Sequence, residues 1–333
     1  MTEYSSNATD LNGQRGSPLV SVMIPTYNRA QSVTDAIDSV LAQTYPNFEI
    51  IVVDDGSTDE TRKVLTTYMN RIRYIYQEHS GQSAARNTAI RASRGQWIAF
   101  VDSDDVWLPT KLSRQMEILD RSRAKVCFTN IVWDSGEPQQ SPCDKLLCRE
   151  SNSDVQVFHE PFDLLLFESA NTMLSTAVVE RDLLLRVGCF DERVNRHADV
   201  RVFYRAAFEA PFAYVDQPLV VFDRRPGLER VTTNRSFDFI KAAACGDAIT
   251  SSEIYLQSGG KSKRIVKALQ HKLGRRLTKM AVVSCLENNN YDARRFALNG
   301  LHFGGGWETY RRCIAVIMCP WLVRRRYLTW RTS

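Results

Sequence analysis

The sequence lacks the long apolar run that a membrane-spanning helix needs. No stretch of its 333 residues approaches the roughly 18 consecutive apolar residues of such a helix. Residues 1–17 are polar and include acidic side chains, so we expect a disordered lead and no apolar signal segment. These two absences predict a cytoplasmic protein.

Several catalytic and metal-binding patterns are also missing. The eight cysteines contain no C-x-x-C pair and no Cys/His set at zinc spacing, so we expect reduced thiols. The five histidines form no H-x-x-x-H pair, and there is no G-x-S-x-G motif, which leaves zinc hydrolases and serine hydrolases without support. The glycines at 304–306 lack the Lys and Ser/Thr of a phosphate-binding loop.

Charge is distributed unevenly along the chain. Residues 261–333 contain 16 Lys/Arg and three acidic residues, a surplus of +13, which leaves −8 for residues 1–260. This basic segment is interleaved with apolar runs and ends in RRCIAVIMCPWLVRRRYLTWRTS. Such a segment predicts peripheral contact with an anionic membrane, on its inner face, or a helix packed on the rest of the protein. No nucleic-acid-binding module is present, so we expect no nucleic-acid partner.

Short β-branched runs alternate with amphipathic stretches between residues 18 and 130. This alternation predicts a Rossmann-like α/β fold, in which helices flank a mostly parallel central sheet. The predicted strands are 19–24, 48–53, 72–76, 96–101 and 125–130, and the predicted helices are 32–43, 58–69, 82–93 and 109–121. Ligands of such sheets bind at the carboxyl ends of the strands.

The second half of the chain is predicted to contain fewer strands. Residues 134–160 are polar and rich in Pro and Ser, which indicates a connecting excursion or a lid. Further on we predict helices at 161–168, 180–187 and 198–209, strands at 175–179 and around 212–222, and mostly helix after Pro226. We therefore divide the chain into a lead (1–17), two halves of one α/β domain (18–130 and 131–230), and a helical, basic C-terminal region (231–333).

Polar residues follow three of the predicted strands. They are Pro25-Thr26-Tyr27-Asn28, Asp54-Asp55-Gly56-Ser57 and Asp102-Ser103-Asp104-Asp105. Each turn alone is also compatible with helix capping, but together they predict a binding rim. Crowded carboxylates repel one another unless protons or a hard cation intervene, so the third turn predicts a Mg²⁺ or Mn²⁺ site.

These segments resemble a known enzyme family. SVMIPTYNRAQSVTDAIDSVLAQTYPNFEIIVVDDGSTDET, SGQSAARNTAI and GQWIAFVDSDDVWLP, followed by STAVVERDLLLRVGCFDE, are similar to the family 2 glycosyltransferases of GT-A fold. The resemblance implies a hexosyltransferase that moves a sugar, with inversion, from a nucleotide diphosphate sugar, UDP-linked in our expectation, to an acceptor hydroxyl. The implied acceptor is a saccharide or a lipid-linked molecule in cell-surface polysaccharide or glycolipid synthesis.

The resemblance also assigns roles on the donor side. Tyr27 is implied to stack near the base and Asp55 to accept a hydrogen bond from it, while Asp102 holds the ribose and Asp104 the metal ion. Arg86 is implied to face the nucleotide, although a structural ion pair with Asp54 or Asp102 is an open alternative. The full implied donor-binding set is Pro25, Thr26, Tyr27, Asp55, Gly81, Arg86, Asp102, Ser103 and Arg225.

On the acceptor side the chain departs from the family's pattern. The family's G-G-F-D-E and E-D-x-x-L-x-x-R motifs stand here as GCFDE (188–192) and ADVRVFYR (198–205), so Ala198 replaces the first acid. Asp199 keeps its place and is our candidate general base, with a first-turn capping role as the alternative. In VVFDRRPG, Arg225 or Arg224 is implied to face the diphosphate, unless they form a solvated surface pair.

Two other functions remain open. One is a nucleotidyltransferase of similar architecture, although PTYNRA lacks the glycine-rich loop that such enzymes carry after the first strand. The other is a non-catalytic protein that binds a sugar nucleotide or a membrane, which Ala198 would favour.

Overall fold

The computed structural model describes most of the chain. The described residues are 16–133, 154–159, 161, 173–193, 198–222, 248, 251–257, 263–304 and 306–323. The strands are β1 (Val20–Thr26), β2 (Phe48–Asp54), β3 (Arg73–Tyr76), β4 (Trp97–Phe100), β5 (Asp105–Trp107), β6 (Val126–Trp133), β7 (Val155–Phe158), β8 (Val178–Glu180) and β9 (Phe212–Phe222). The α-helices are α1 (Val33–Leu41), α2 (Thr61–Leu65), α3 (Gln82–Ala92), α4 (Lys111–Arg121), α5 (Arg181–Arg186), α6 (Ala198–Glu209), α7 (Lys263–Leu286), α8 (Asn290–Phe303) and α9 (Trp307–Met318).

These elements form two compact units. The sheet unit lies within residues 1–160, 170–190 and 209–225, and the helical unit within 161–169, 191–208 and 226–333. Residues 131–230, which the sequence groups together, therefore contribute to both units. The predicted lead (1–17) and the predicted helix at 161–168 fall almost entirely outside the described residues.

The predicted parallel sheet forms the first part of the sheet unit. Strands run in the order β3-β2-β1-β4, and all three pairings are parallel. Every residue of β1 is buried, as expected for a strand covered by helices on both faces. The shared direction brings the carboxyl ends of these strands to one edge, where the polar turns follow.

Beyond β4 the sheet becomes mixed. β8 pairs antiparallel with both β4 and β6, and β6 pairs parallel with β9. The first half of β9 also pairs with β7, and its last three residues pair with β5. Strands of three or four residues, such as β5 and β7, are too short for their periodicity to be recognised in the sequence. They form because the edge of the long strand β9 offers them backbone hydrogen bonds.

A buried lysine connects α4 to the core of the sheet unit. The Lys111 side chain is fully buried, its Nζ lies 3.8 Å from the centre of the Trp107 ring, and it donates to Gln115 Oε1 at 2.8 Å. Gln115 in turn donates to the Cys127 and Thr176 carbonyls. Burial holds the pKa of Lys111 well below its usual range. The ring and the amide supply the polar contacts that this core position requires.

The helical unit is built around α7, α8 and α9. Ala281, Cys285, Ala297 and Cys313 are buried where the three helices meet. A Cβ on Gly274 of α7 would lie 1.7 Å from the carbonyl oxygen that follows α8, so this close approach requires glycine. In the part of the chain that the structure describes, no helix is both long and apolar enough to cross a membrane.

Candidate active site

The turns after β1 and β2 are joined by hydrogen bonds. Asn28 has a φ of 52°, a left-handed conformation that asparagine tolerates better than most residues. Its backbone N–H donates to Ser57 Oγ at 2.9 Å, and its side-chain oxygen accepts from the Thr58 N–H at 2.8 Å. The two polar turns that the sequence placed on one rim therefore lie side by side.

The two adjacent aspartates at the end of β2, Asp54 and Asp55, have different contacts. Asp54 is fully buried and accepts hydrogen bonds from the Tyr74 hydroxyl and the Ser57 N–H, both at 2.9 Å. Burial and the bond to Asp54 raise the pKa of Tyr74 to about 12. Asp54 therefore stabilises the turn and is not available as the ion-pair partner of Arg86.

Asp55 organises the loop that leads into α3. Its carboxylate accepts from Gln77 Nε2 at 2.7 Å and from the Ser80 and Gly81 N–H groups at 2.9 Å. A carboxylate offers about four acceptor positions, and these three hydrogen bonds occupy three of them. His79 Nδ1 lies 3.0 Å from Asp55 Oδ2 and 3.0 Å from the main-chain oxygen of Asp55. The His79 side chain is 56% exposed.

Tyr27 and Gly81 lie beside this loop. The Tyr27 ring is 40% exposed and stacks on His79 at a centroid distance of 4.2 Å. Gly81 has a φ of 93°, and an added Cβ would meet no atom within 4 Å. The requirement for glycine is therefore conformational at this position. Pro25 and Thr26 are buried at the end of β1, and within the described residues Thr26 Oγ1 has no hydrogen-bond partner.

Arg86 forms the structural ion pair that the sequence left as an alternative. Its side chain is 7% exposed, and Nη2 donates to Asp102 Oδ1 at 2.9 Å. The guanidinium also lies 5.4 Å from the centre of the Phe190 ring. Asp102 nevertheless keeps 31% of its side chain exposed, so one face of this carboxylate remains accessible to a ligand.

Ser175 fixes the acidic turn after β4. Its Oγ accepts from the Asp102 N–H at 3.0 Å and donates to the buried Asp105 carboxylate. Its carbonyl accepts from Trp107 Nε1 at 3.0 Å. Sequence reasoning missed Ser175, and the one available signal was its place at the start of STAVV. Asp105 is therefore a structural residue, and the metal prediction for this turn depends on Asp104.

Asp104 is the remaining carboxylate of the turn. It is half-buried, and Ser103 beside it is buried. Among the described residues no group of three or more His, Cys, Asp or Glu is arranged to hold a metal ion. A Mg²⁺-type ion that also binds a diphosphate needs only one or two carboxylates, which Asp104 with the accessible edge of Asp102 supplies.

The acceptor-side candidates belong to the helical unit. Asp199 is half-buried in the first turn of α6, and no hydrogen bond or ion pair to it occurs among the described residues. Asp191 is bound by Arg193 and by Arg201, and these bonds hold the pKa of its carboxyl well below its usual range. Asp191 is consequently a poor proton acceptor near neutral pH.

The arginine that matches the family's motif is engaged in a salt bridge. Arg205 and Arg201 both pair with Glu253, and Arg205 Nη2 lies 2.7 Å from the carboxylate. Arg224 and Arg225 lie outside the described residues. The structure thus brings the donor-side candidates from Pro25 to Asp104 together on the sheet unit and places Asp199 on the helical unit.

The sheet unit thus combines a parallel sheet, an acidic turn at its carboxyl edge and antiparallel strands beyond β4. The model of the family "Glycosyl transferase family 2" matches residues 21–173. These residues therefore belong to glycosyl transferase family 2.

Two sequence relatives are informative. An uncharacterized glycosyltransferase of Rickettsia prowazekii is 34% identical over 210 residues, which cover 62% of this chain and 64% of the relative. The Escherichia coli UDP-Glc:alpha-D-GlcNAc-diphosphoundecaprenol beta-1,3-glucosyltransferase WfgD is 39% identical over 139 residues, covering 39% of this chain and 55% of that protein. The chain thus spans less than two thirds of the length of either relative.

Solved structures confirm the GT-A fold. TarS 1-349 of S. aureus in complex with UDP-GlcNAc has a TM-score of 0.58 at 18% identity, covering 93% of this chain and 91% of that one. The mannosyltransferase PcManGT of Pyrobaculum calidifontis, in complex with GDP-Man and Mn²⁺, has a TM-score of 0.53 at 19% identity, covering 96% and 89%. At such identities the likeness concerns the fold alone.

Proposed function

We propose that this protein is an inverting glycosyltransferase that moves a sugar from a UDP-linked donor to a hydroxyl of a lipid-linked saccharide. The observation that carries the proposal is the rim of the sheet unit, where Tyr27, Asp55, Asp102 and Asp104 follow the strands of a family 2 domain. The name of the E. coli relative, with its UDP-glucose donor and diphosphoundecaprenol acceptor, supports this donor and acceptor class.

The base of the nucleotide is bound by Tyr27 and Asp55 in this proposal. A uracil ring stacks on Tyr27 and replaces the ring of His79, whose centre lies 4.2 Å from the centre of the Tyr27 ring. Its imide N–H then donates to Asp55 when the exposed His79 leaves that carboxylate. The three other donors to Asp55 keep the acceptor oriented, which reduces the entropy lost on binding.

The ribose and the diphosphate lie along the acidic turn. Asp102 accepts from the ribose hydroxyls, while Arg86 and Ser175 keep it in place. Asp104 would hold a Mg²⁺ or Mn²⁺ ion, which supplies positive charge next to the departing diphosphate. The Mn²⁺ in the mannosyltransferase complex supports this assignment. Ser103 lies in the same turn. The sequence motif implies that Arg225 contributes a further cation for the diphosphate.

Asp199 acts as the general base. It takes the proton of the acceptor hydroxyl, whose oxygen attacks the anomeric carbon from the face opposite the leaving diphosphate, so the product has the inverted configuration. Asp191 does not take this role, because two arginines stabilise its ionised form. We place this reaction in cell-surface polysaccharide synthesis, on the cytoplasmic face of the membrane.

The test combines donor binding with turnover. We expect Mn²⁺ with UDP-glucose or UDP-GlcNAc to raise the melting temperature, since a ligand at 100 times its Kd stabilises by about 2.7 kcal/mol. We also expect UDP release when a polyprenyl-diphosphate-linked sugar is added, with GDP-mannose as the matched control donor.

Three outcomes would contradict the proposal. If no nucleotide sugar raises the melting temperature, the rim is not a donor site. Binding without UDP release would make the protein a sugar-nucleotide-binding protein. Release of pyrophosphate from UTP and a sugar phosphate would make it a nucleotidyltransferase.

A further inference from the structure

Helix α9 exposes a continuous row of large apolar side chains. Trp307 is 76% exposed, Tyr310 52%, Ile314 39% and Met318 70%. Their spacing of three, four and four residues places them on one side of the helix. The rings of Trp307 and Tyr310 stack at 5.9 Å and extend this surface. We call these four residues the α9 apolar face.

The opposite side of α9 is already used for packing. Thr309, Cys313 and Val316 are buried, and Cys313 Sγ lies 3.1 Å from Thr278 Oγ1 of α7. Helix α9 is therefore anchored within the helical unit by one side and apolar on the other. The sequence also allowed a helix that packs on the rest of the protein and has a solvated basic face. Such a helix would be polar on its outer side, which α9 is not.

Basic residues lie beside the α9 apolar face. Arg311 and Arg312 are on the same helix, with 66% and 56% of their side chains exposed, and both pair with Glu308. The helical turn 320–323 that follows adds Trp321, which is 63% exposed, and in the sequence Arg324–Arg326 come next. Trp and Tyr combined with Lys and Arg are the residues that bind at the level of lipid headgroups.

The charge distinguishes a membrane from a second copy of the chain. Residues 261–333 have a formal surplus of +13, so two copies meeting through the α9 apolar face would bring like charges together. A bilayer with anionic headgroups instead attracts the arginines while its interface accepts the exposed rings.

We propose that the α9 apolar face inserts into the interface of an anionic bilayer and holds the protein on its surface. The inference deepens the proposed function, since a lipid-linked acceptor requires the enzyme at the membrane. It can fail independently of sugar transfer, because vesicle binding is measured without donor or acceptor.

The experiment is cosedimentation of the full chain with vesicles of phosphatidylcholine, with and without phosphatidylglycerol. We expect binding to the anionic vesicles that weakens at high salt. Trp307→Glu and Met318→Glu should each lower the partition coefficient about tenfold, because each removes a large apolar side chain from the interface and adds a negative charge. Leu256→Glu is the matched control, since Leu256 is 79% exposed in the helical segment 251–257 and should bind as wild type does.

Melting temperature and donor binding identify any variant that fails to fold, and Ile314→Glu provides a third position on the same face. Equal partition of wild type and of folded α9 variants would overturn the inference. Equal binding to vesicles without phosphatidylglycerol would also overturn it, because the anionic headgroups would then play no part. Sedimentation equilibrium tests whether the face binds a second copy of the chain instead. That would be the conclusion if wild type were a dimer, if Trp307→Glu dissociated it, and if vesicle binding were unchanged.

Discussion

Replacing Asp199 by asparagine separates a catalytic role from a capping role. Asparagine keeps the shape of the side chain and most of its capping ability at a helix start, but it cannot take a proton. A general base contributes about 10²–10⁴-fold to the rate, which corresponds to about 3–5 kcal/mol of the barrier. We therefore expect turnover to fall by that factor while the melting temperature and the Kd for the donor stay near the wild-type values.

Asp191→Asn is the matched control, because the structure predicts the opposite result. Arg193 and Arg201 both bind this carboxylate, and the Arg201 side chain is only 8% exposed. Losing the negative charge leaves a buried guanidinium with one carboxylate partner, Glu253, and should lower the free energy of unfolding by about 1–3 kcal/mol. Turnover per folded molecule should change much less than in Asp199→Asn.

The contribution of Asp191 to the free energy of unfolding also depends on pH. The pKa of Asp191 is depressed in the folded state, so its contribution to stability is complete above the unfolded pKa of about 4 and is lost as the pH falls through the lower folded value. Wild type should therefore lose more stability than Asp191→Asn as the pH falls below about 4. Urea unfolding at several pH values measures this difference.

Steady-state kinetics with saturating donor and acceptor, combined with thermal unfolding, decides between the two roles. A stability loss in Asp199→Asn with normal turnover would refute the base assignment and make Asp199 a capping residue. Normal stability and normal turnover in both variants would refute the reasoning for each aspartate.

Two further substitutions test the acidic turn. Asp104→Asn should abolish the Mn²⁺ dependence of UDP affinity and remove turnover without changing the melting temperature. If calorimetric titrations showed unchanged Mn²⁺-dependent binding of UDP, the metal assignment would be refuted. Ser175→Ala removes the bonds to the Asp102 N–H and the Asp105 carboxylate, so it should weaken UDP binding about tenfold and cost about 1–3 kcal/mol of stability. Ser175→Thr, which keeps the hydroxyl, should restore the UDP affinity, and a Ser175→Ala variant with wild-type affinity would show that the turn needs no such support.

The sequence by itself determined the local structure and the residues on the rim. Uninterrupted apolar runs predicted β1, β2 and β4 close to their observed bounds, and the pattern from 198 to 209 predicted α6 with the bounds that the structure has. These elements depend on side-chain periodicity along a short stretch of chain, which is readable without any tertiary information. The motifs around them indicated the family, which the comparisons confirmed.

Only the tertiary structure decided what each polar residue of the rim contacts. From the sequence, Arg86 could have paired with either of two aspartates. In the structure Asp54 accepts from the Tyr74 hydroxyl, and Arg86 pairs with Asp102. Ser175 lies 73 residues from the Asp102 that it supports. The antiparallel half of the sheet likewise depends on the edges that β9 offers to short strands far away in the sequence. Contacts between distant segments form because the packed fold brings their atoms within hydrogen-bonding distance, and no periodicity along the chain encodes that distance.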